Sequence, residues 1–207
     1  MKRISIILLA VVMTFSLYAC GTSKSGNASD GQQNAQENQL TGKHHVVISV
    51  KGYGDIKIEL DADVAPVTVT NFVKLAKDGF YDGLTFHRII SGFMIQGGDP
   101  DSKGAVADRT LGSGGPGYTL PAVTNNLSHT RGAISMARSS SNNSASSQFF
   151  IVHKDSTYLD GKYACFGYVT EGMDVVDKIC KEVKPVDDNG KVNKNEQPVI
   201  EKVTVID

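Results

Sequence analysis

Residues 46–50 form a short strand-like apolar run, and apolar and polar residues alternate along residues 55–60. Ile56, Ile58 and Leu60 fall on one side of the second run, with Lys57 and Glu59 on the other, the period-2 pattern of a half-buried strand. Gly52-Tyr53-Gly54 between the runs predicts a hairpin turn. After Asp63-Val64-Ala65-Pro66 the period changes. Val69, Phe72, Val73 and Ala76 recur at helical spacing and Gly79 ends the run. Pro66 suits a first helical turn, where its missing N–H would have had no partner. Leu84 to Gln96 predicts two strands around Ser91-Gly92. Further strands are predicted over 133–137, 148–152, 164–169 and 199–206, and a second helix around Met173, Val176 and Ile179. Eight short strands and two helices far apart leave too few crossovers for a parallel sheet. The pattern predicts a mostly β, antiparallel domain, and closing its eight strands into a barrel would remove exposed edges.

The start of the chain does not belong to that pattern. Lys2 and Arg3 precede an apolar run from Ile4 to Tyr18, closed by Ala19-Cys20. This reads as a signal peptide over residues 1–19. The run is short for a transmembrane helix, which needs about 20 apolar residues. Leu17-Tyr18-Ala19-Cys20 resembles a bacterial lipobox, with Tyr18 where a small residue is usual, and the resemblance implies lipidation at Cys20. Residues 21–43 are Ser-, Asn-, Gln- and Gly-rich, too polar to offset the entropy of ordering them. Residues 20–43 therefore read as lipidated cysteine plus flexible tether, and 44–207 as one compact domain. The expected location is the extracytoplasmic face of the cell membrane, anchored through Cys20.

Phe86 to Asp99 carries the most chemistry. Arg88 and Gln96 lie eight residues apart, an even number, so an unbroken strand would put both on one face. Phe93 and Met94 are neighbours, so alternation forbids both from entering one core. A charged group, an amide and an aromatic wall on one surface describe a binding site. Residues 99–128 are glycine-rich and lack regular pattern. Such a stretch inside a compact domain is usually functional. Gly112-Ser113-Gly114-Gly115-Pro116-Gly117 lacks the Gly-Lys-Ser/Thr ending and following helix of a phosphate loop.

The stretch 86–99, together with Gly132-Ala133-Ile134-Ser135-Met136-Ala137, Ser146-Ser147-Gln148-Phe149-Phe150-Ile151 and Tyr158 to Gly167, resembles the cyclophilin-type peptidyl-prolyl isomerases. The likeness spans residues 46–206, with the motifs in register. It implies a closed eight-stranded antiparallel barrel with a helix over each open end. The long segment would border a peptide groove.

It further implies rotation about Xaa-Pro bonds, without cofactor or metal. An amide resists rotation by about 18–20 kcal/mol through resonance. In the twisted state the proline nitrogen regains its lone pair, and a guanidinium beside it stabilises that state selectively. By the resemblance, Arg88 is the catalytic arginine, and Gln96 holds it and the substrate carbonyl in place. Phe93, Met94, Phe150 and Leu159 match the proline pocket. Ala137 and Gln148 match the neighbouring groove, Arg138 a backbone grip on the peptide, and His87 a supporting neighbour of the arginine. Tyr158 stands where many eukaryotic members have tryptophan, and Tyr163 where many have histidine. The loss of the indole donor bears against cyclosporin affinity, while an aromatic wall is kept. The expected partners are proline-containing polypeptides and the membrane, with the protein a monomer. The alternative is a proline-peptide binding module with little turnover; Arg88 with Gln96 bears against it, because a pure binder needs only the pocket.

Removing residues 1–19 takes away Lys2 and Arg3 from 21 basic residues and nothing from 22 acidic ones, leaving a net charge of −3. With no basic patch, nucleic acid is not an expected partner. The histidines at 44, 45, 87, 129 and 153 show no metal-ligand spacing. No Gly-x-Ser-x-Gly elbow marks a serine hydrolase. Beyond Cys20, Cys165 and Cys180 read as small buried hydrophobes, a disulfide between them being the alternative.

Overall fold

The computed structural model describes residues 39–103 and 111–207. The expected signal peptide, the expected lipidation site Cys20 and most of the segment read as tether lie outside the described residues. The described chain begins inside the segment read as tether. Leu40 packs against the core and its N–H donates to Thr70 Oγ1 at 2.8 Å. The last residues of that segment thus belong to the domain.

The alternating runs form a hairpin, β1 (Lys43–Val50) and β2 (Gly54–Asp61), antiparallel with Val50 opposite Gly54. The helical run becomes α1 (Pro66–Lys77), with proline in its first turn. Then follow β3 (Arg88–Ile90), β4 (Met94–Gly97), β5 (Ala133–Met136), β6 (Phe149–Val152), β7 (Cys165–Glu171), α2 (Met173–Glu182) and β8 (Ile200–Val205). One sheet holds all eight in the order β3-β4-β6-β5-β7-β2-β1-β8, every pair antiparallel.

The expected closed barrel is corrected to a curled half-barrel. β3 and β8 are the ends of the series and share no ladder. The seam is crossed by an irregular strip: Gly83 N–H donates to Ile200 O, Ile200 N–H to Leu84 O and Phe86 N–H to Pro198 O, at 2.8–2.9 Å. β3 has three residues, and its outer edge is taken up by a turn: Ile89 N–H donates to Gly190 O at 2.8 Å and Val192 N–H to His87 O at 3.1 Å. A three-residue edge covered by a turn has no room for a second ladder, yet it is still protected from edge-to-edge pairing.

The strands carry apolar residues on both faces. One face joins α1 and α2 in the main core: Ile89, Ile95, Ile134, Phe149, Ile151 and Phe166 pack with Val69, Phe72 and Val176. Phe72 and Phe149 meet edge to face at 5.4 Å, a favoured ring geometry. The intervening residues Met94, Ala133, Phe150, Val152 and Cys165 form a second cluster with Leu159. By strand alternation this cluster lies on the opposite face. Cys165 and Cys180 are buried free thiols; burial pushes Cys165 up to about 11 and Cys180 up to about 12. Among the described residues, no helix is long and apolar enough to cross a membrane.

Candidate active site

The second cluster opens into a cavity of about 170 Å³. Nine of the expected site residues line it: Arg88, Phe93, Met94, Gln96, Ala137, Arg138, Phe150, Leu159 and Tyr163. Arg88 and Gln96 do share a face, but as cross-strand partners of the β3–β4 hairpin rather than along one strand. Phe93 and Met94 pack against the same cluster, which corrects the alternation argument. Phe93 lies in the turn before β4, where the two-residue period does not hold.

Arg88 is held from two sides. Its Nε donates to Asn189 O at 2.7 Å and its Nη1 to Gln96 Oε1 at 3.2 Å. The turn that presents Asn189 depends on Gly190, at φ +84°, where a Cβ would fall 2.4 Å from Ile90 Cγ1 and 2.7 Å from Ile89 O. No other residue fits there without moving the turn. Gln96 Nε2 donates to Gln148 Oε1 at 3.0 Å, and Gln148 Nε2 to Gly114 O at 2.9 Å. Each amide accepts at its oxygen and donates at its nitrogen, so the guanidinium is tied step by step to the glycine-rich segment. Partial burial lowers the Arg88 pKa, while Tyr163, Asp187 and Tyr158 pull it back up; an arginine so shifted stays a cation at neutral pH.

Aromatic rings build the rest. Phe150 and Tyr163 meet edge to face at 5.9 Å. The Arg138 guanidinium sits 4.6 Å over the Tyr163 ring, so its side chain shapes the cavity as well as its backbone. Tyr158 is 61% exposed and outside the cavity lining, with its ring 6.1 Å from Phe93 at the rim. Gln148 lines an adjoining cavity of about 740 Å³ with residues 112–115 and 117–119. That places the glycine-rich segment beside the groove. Asp99 pinches its base, accepting from Asp101 N–H at 2.8 Å and from Gly112 N–H.

His87 does not reach the proline pocket. It is 5% exposed and lines a separate cavity of about 160 Å³ with Arg88, Asn189 and Lys191. Neither of its ring nitrogens makes a hydrogen bond. Burial lowers its pKa, partly offset by Asp99 and reinforced by Arg88. The ring is neutral at pH 7.

Two supports escaped the sequence reading. The first is the Asn189 carbonyl, a backbone group without side-chain signal; only the Asn189-Gly190 pair announces its turn. The second lies beneath the pocket floor. His129 is fully buried, stacks on Phe150 at 6.0 Å, and bonds Asp160 Oδ1 through Nδ1 at 2.8 Å and Ser135 Oγ through Nε2 at 2.9 Å. The His129 N–H, the Ser128 hydroxyl and the His129 ring hold Asp160 down at about 2. Among the described residues, no cluster of His, Cys, Asp and Glu could hold a metal.

An arginine fixed at the mouth of an apolar pocket suits rotation of a prolyl amide. Comparison with known proteins agrees. The family model for cyclophilin-type peptidyl-prolyl cis-trans isomerases matches residues 45–205. A probable peptidyl-prolyl cis-trans isomerase of Brucella suis is 44% identical over 160 residues, 75% of this chain and 79% of that protein. Peptidyl-prolyl cis-trans isomerase B of Bacillus subtilis is 48% identical over 121 residues, 58% of this chain and 78% of that protein. The crystal structure of a Cryptosporidium parvum cyclophilin-type isomerase, determined in the presence of the dipeptide Ala-Pro, superposes with a TM-score of 0.67. It is 30% identical, covering 79% of this chain and 99% of that one. The chain belongs to the cyclophilin-type peptidyl-prolyl cis-trans isomerase family, and it is an isomerase.

Proposed function

We propose that this isomerase acts on Xaa-Pro bonds of exported polypeptides from the outer side of the cell membrane, as a monomer held there by lipid on Cys20. The observation that carries the catalytic part is the Arg88 guanidinium, anchored by Asn189 O and Gln96 Oε1 at the edge of the pocket over Phe150. A proline ring entering that pocket removes about three methylenes from water, worth about 2.4 kcal/mol at 0.8 kcal/mol each. The remaining guanidinium N–H groups meet the prolyl nitrogen as its lone pair reappears, while Gln96 stays bound to the arginine. The twisted amide gains a charge-assisted bond that the planar isomers lack. The relative's crystal with Ala-Pro supports a proline-containing peptide as occupant.

The location rests on Lys2-Arg3, the apolar run and Leu17-Tyr18-Ala19-Cys20, followed by the polar stretch. Slow prolyl isomerisation limits folding, and polypeptides folding outside the cytoplasm meet that limit. The test uses the full chain expressed in a bacterium fed labelled palmitate. Wild type should take up label and sediment with membranes, while Cys20→Ser should do neither and keep isomerase activity. Equal labelling and equal sedimentation of the two would overturn the anchor.

A further inference from the structure

The turn between β3 and β4 carries Phe93, and with it one wall of the pocket. His153, just after β6, grips this turn twice. Its backbone N–H donates to Phe93 O at 2.8 Å, extending the β4–β6 ladder. Its ring accepts at Nδ1 from Gly92 N–H at 2.8 Å. An amide N–H only donates, so Nδ1 is the bare nitrogen and Nε2 carries the proton. Nε2 faces Asp177 Oδ1 of α2 at 3.1 Å.

Arg131 clasps Asp177 with both Nη atoms at 2.8 Å, and its Nη1 donates to His153 O at 2.8 Å. The Arg131 N–H donates to Asp155 Oδ1 at 2.7 Å, and Lys154 borders the same shallow depression. Cys180 lies near Asp177 on α2 and stays a neutral thiol. The Arg131 bond holds the Asp177 carboxyl below its ordinary range, so it faces Nε2 as a carboxylate in mildly acid and neutral solution.

We propose that His153 is a positioning residue for the isomerase: the neutral ring pins the β3–β4 turn and so the Phe93 wall, and protonation releases it. The inference rests on Phe93 lining the substrate pocket. Once Nδ1 gains a proton, it is a donor facing the donor Gly92 N–H, and the bond is lost. Histidine is the side-chain type that can change charge between pH 5 and 8, and a pH series over that range tests the release. Gly92, at φ +80° with nothing within 4 Å of a Cβ, leaves the turn no packing of its own at that point.

The experiment compares the whole protein with His153→Asn and His153→Leu from pH 5.5 to 8, using a proline test peptide. Losing one hydrogen bond behind a binding wall should raise wild-type KM roughly three- to tenfold as pH falls, with kcat steady. His153→Asn keeps an acceptor where Nδ1 sits and cannot titrate, so its KM should stay at the wild-type pH 8 value throughout. His153→Leu should show the raised KM already at pH 8. The Gly92 amide signal, followed by NMR, should titrate in wild type and not in His153→Asn. Should the leucine variant fail to fold, the asparagine variant and the Gly92 signal still decide. A pH profile of His153→Asn matching wild type would overturn the proposal, as would a titrating Gly92 with an unmoved KM. If the peptide leaves Phe93 signals unchanged, the pocket assignment fails instead.

Discussion

Replacing Arg88 by alanine tests the catalytic argument most directly. The guanidinium offers five N–H donors. Asn189 O takes the one on Nε, and Gln96 Oε1 and Met94 Sδ accept from Nη1, which leaves those on Nη2 for substrate. A hydrogen bond from a charged donor is worth about 1.5–3 kcal/mol. If it forms only in the twisted amide, Arg88→Ala should lower kcat/KM by about 10- to 150-fold. The apolar lining survives, so peptide affinity should change by less than about threefold. The fold should survive too, because Arg88 is half-buried and lies at a sheet edge covered by the 190–192 turn; Tm should fall by no more than about 4 °C. Arg88→Lys keeps the charge but loses the planar fork, and should recover less than about tenfold of the loss. The assay is the isomerisation rate of a proline peptide, with peptide affinity measured separately by titration. A variant within about threefold of wild type would refute the reasoning. So would a loss confined to affinity, since the guanidinium would then bind planar and twisted amides alike.

Three further outcomes follow from the same geometry. Gln96→Leu leaves the Arg88 Nη1 without its oxygen and breaks the link to Gln148; kcat/KM should fall about fivefold, and a peptide kinetic assay with unchanged circular dichroism checks it. Asp160 is held at about 2 by His129 and Ser128, below the ordinary carboxylate value. Its contribution is therefore complete above about pH 4 and lost as pH falls towards 2. Tm measured from pH 5 to 2 should drop less steeply in Asp160→Asn, and parallel curves would count against the assignment. Cys165 and Cys180, buried with thiols raised to about 11 and about 12, should resist a thiol reagent at pH 8 in the native protein and react once it is unfolded.

The elements were legible in the sequence because each half-buried strand and helix repeats with its own period. Ile56, Ile58 and Leu60 declare one face of β2, and Val69, Phe72 and Val73 declare one face of α1. The same logic stalls where both faces are covered. Phe149, Phe150, Ile151 and Val152 are all buried, so hydrophobicity alone cannot say that Phe150 belongs to the site and Phe149 to the core. It also fails in turns, where Phe93 joins Met94 against one cluster. The family resemblance carried the site list across these gaps. It gave His87 as a supporting neighbour of Arg88, and His87 lines a second cavity that Arg88 shares rather than the proline pocket; it gave no notice of Asn189 O. Closure of the barrel was inferred from the cost of free edges, yet the chain meets that cost with a turn rather than a ladder.

The two-faced strands also explain why the chemistry sits where it does. Phe72, Tyr81, Phe149 and Phe166 pack ring against ring in the main core, which leaves no room there for a peptide. The available surface is the opposite face, where the same strands present Met94, Gln96 and Phe150. Each strand is then fixed from behind by the core and offers its front residues on a stiff backing. Changes at Ile89, Ile95 or Ile151 act first on stability, while changes at the alternate positions Arg88, Gln96 and Phe150 act first on turnover. A single one-residue slip between β3 and β4 would exchange the two sets, turning the guanidinium into the core. The bonds that fix that register, Phe93 N–H to Ile90 O and His87 N–H to Gln96 O, are therefore requirements of the active site as much as of the fold.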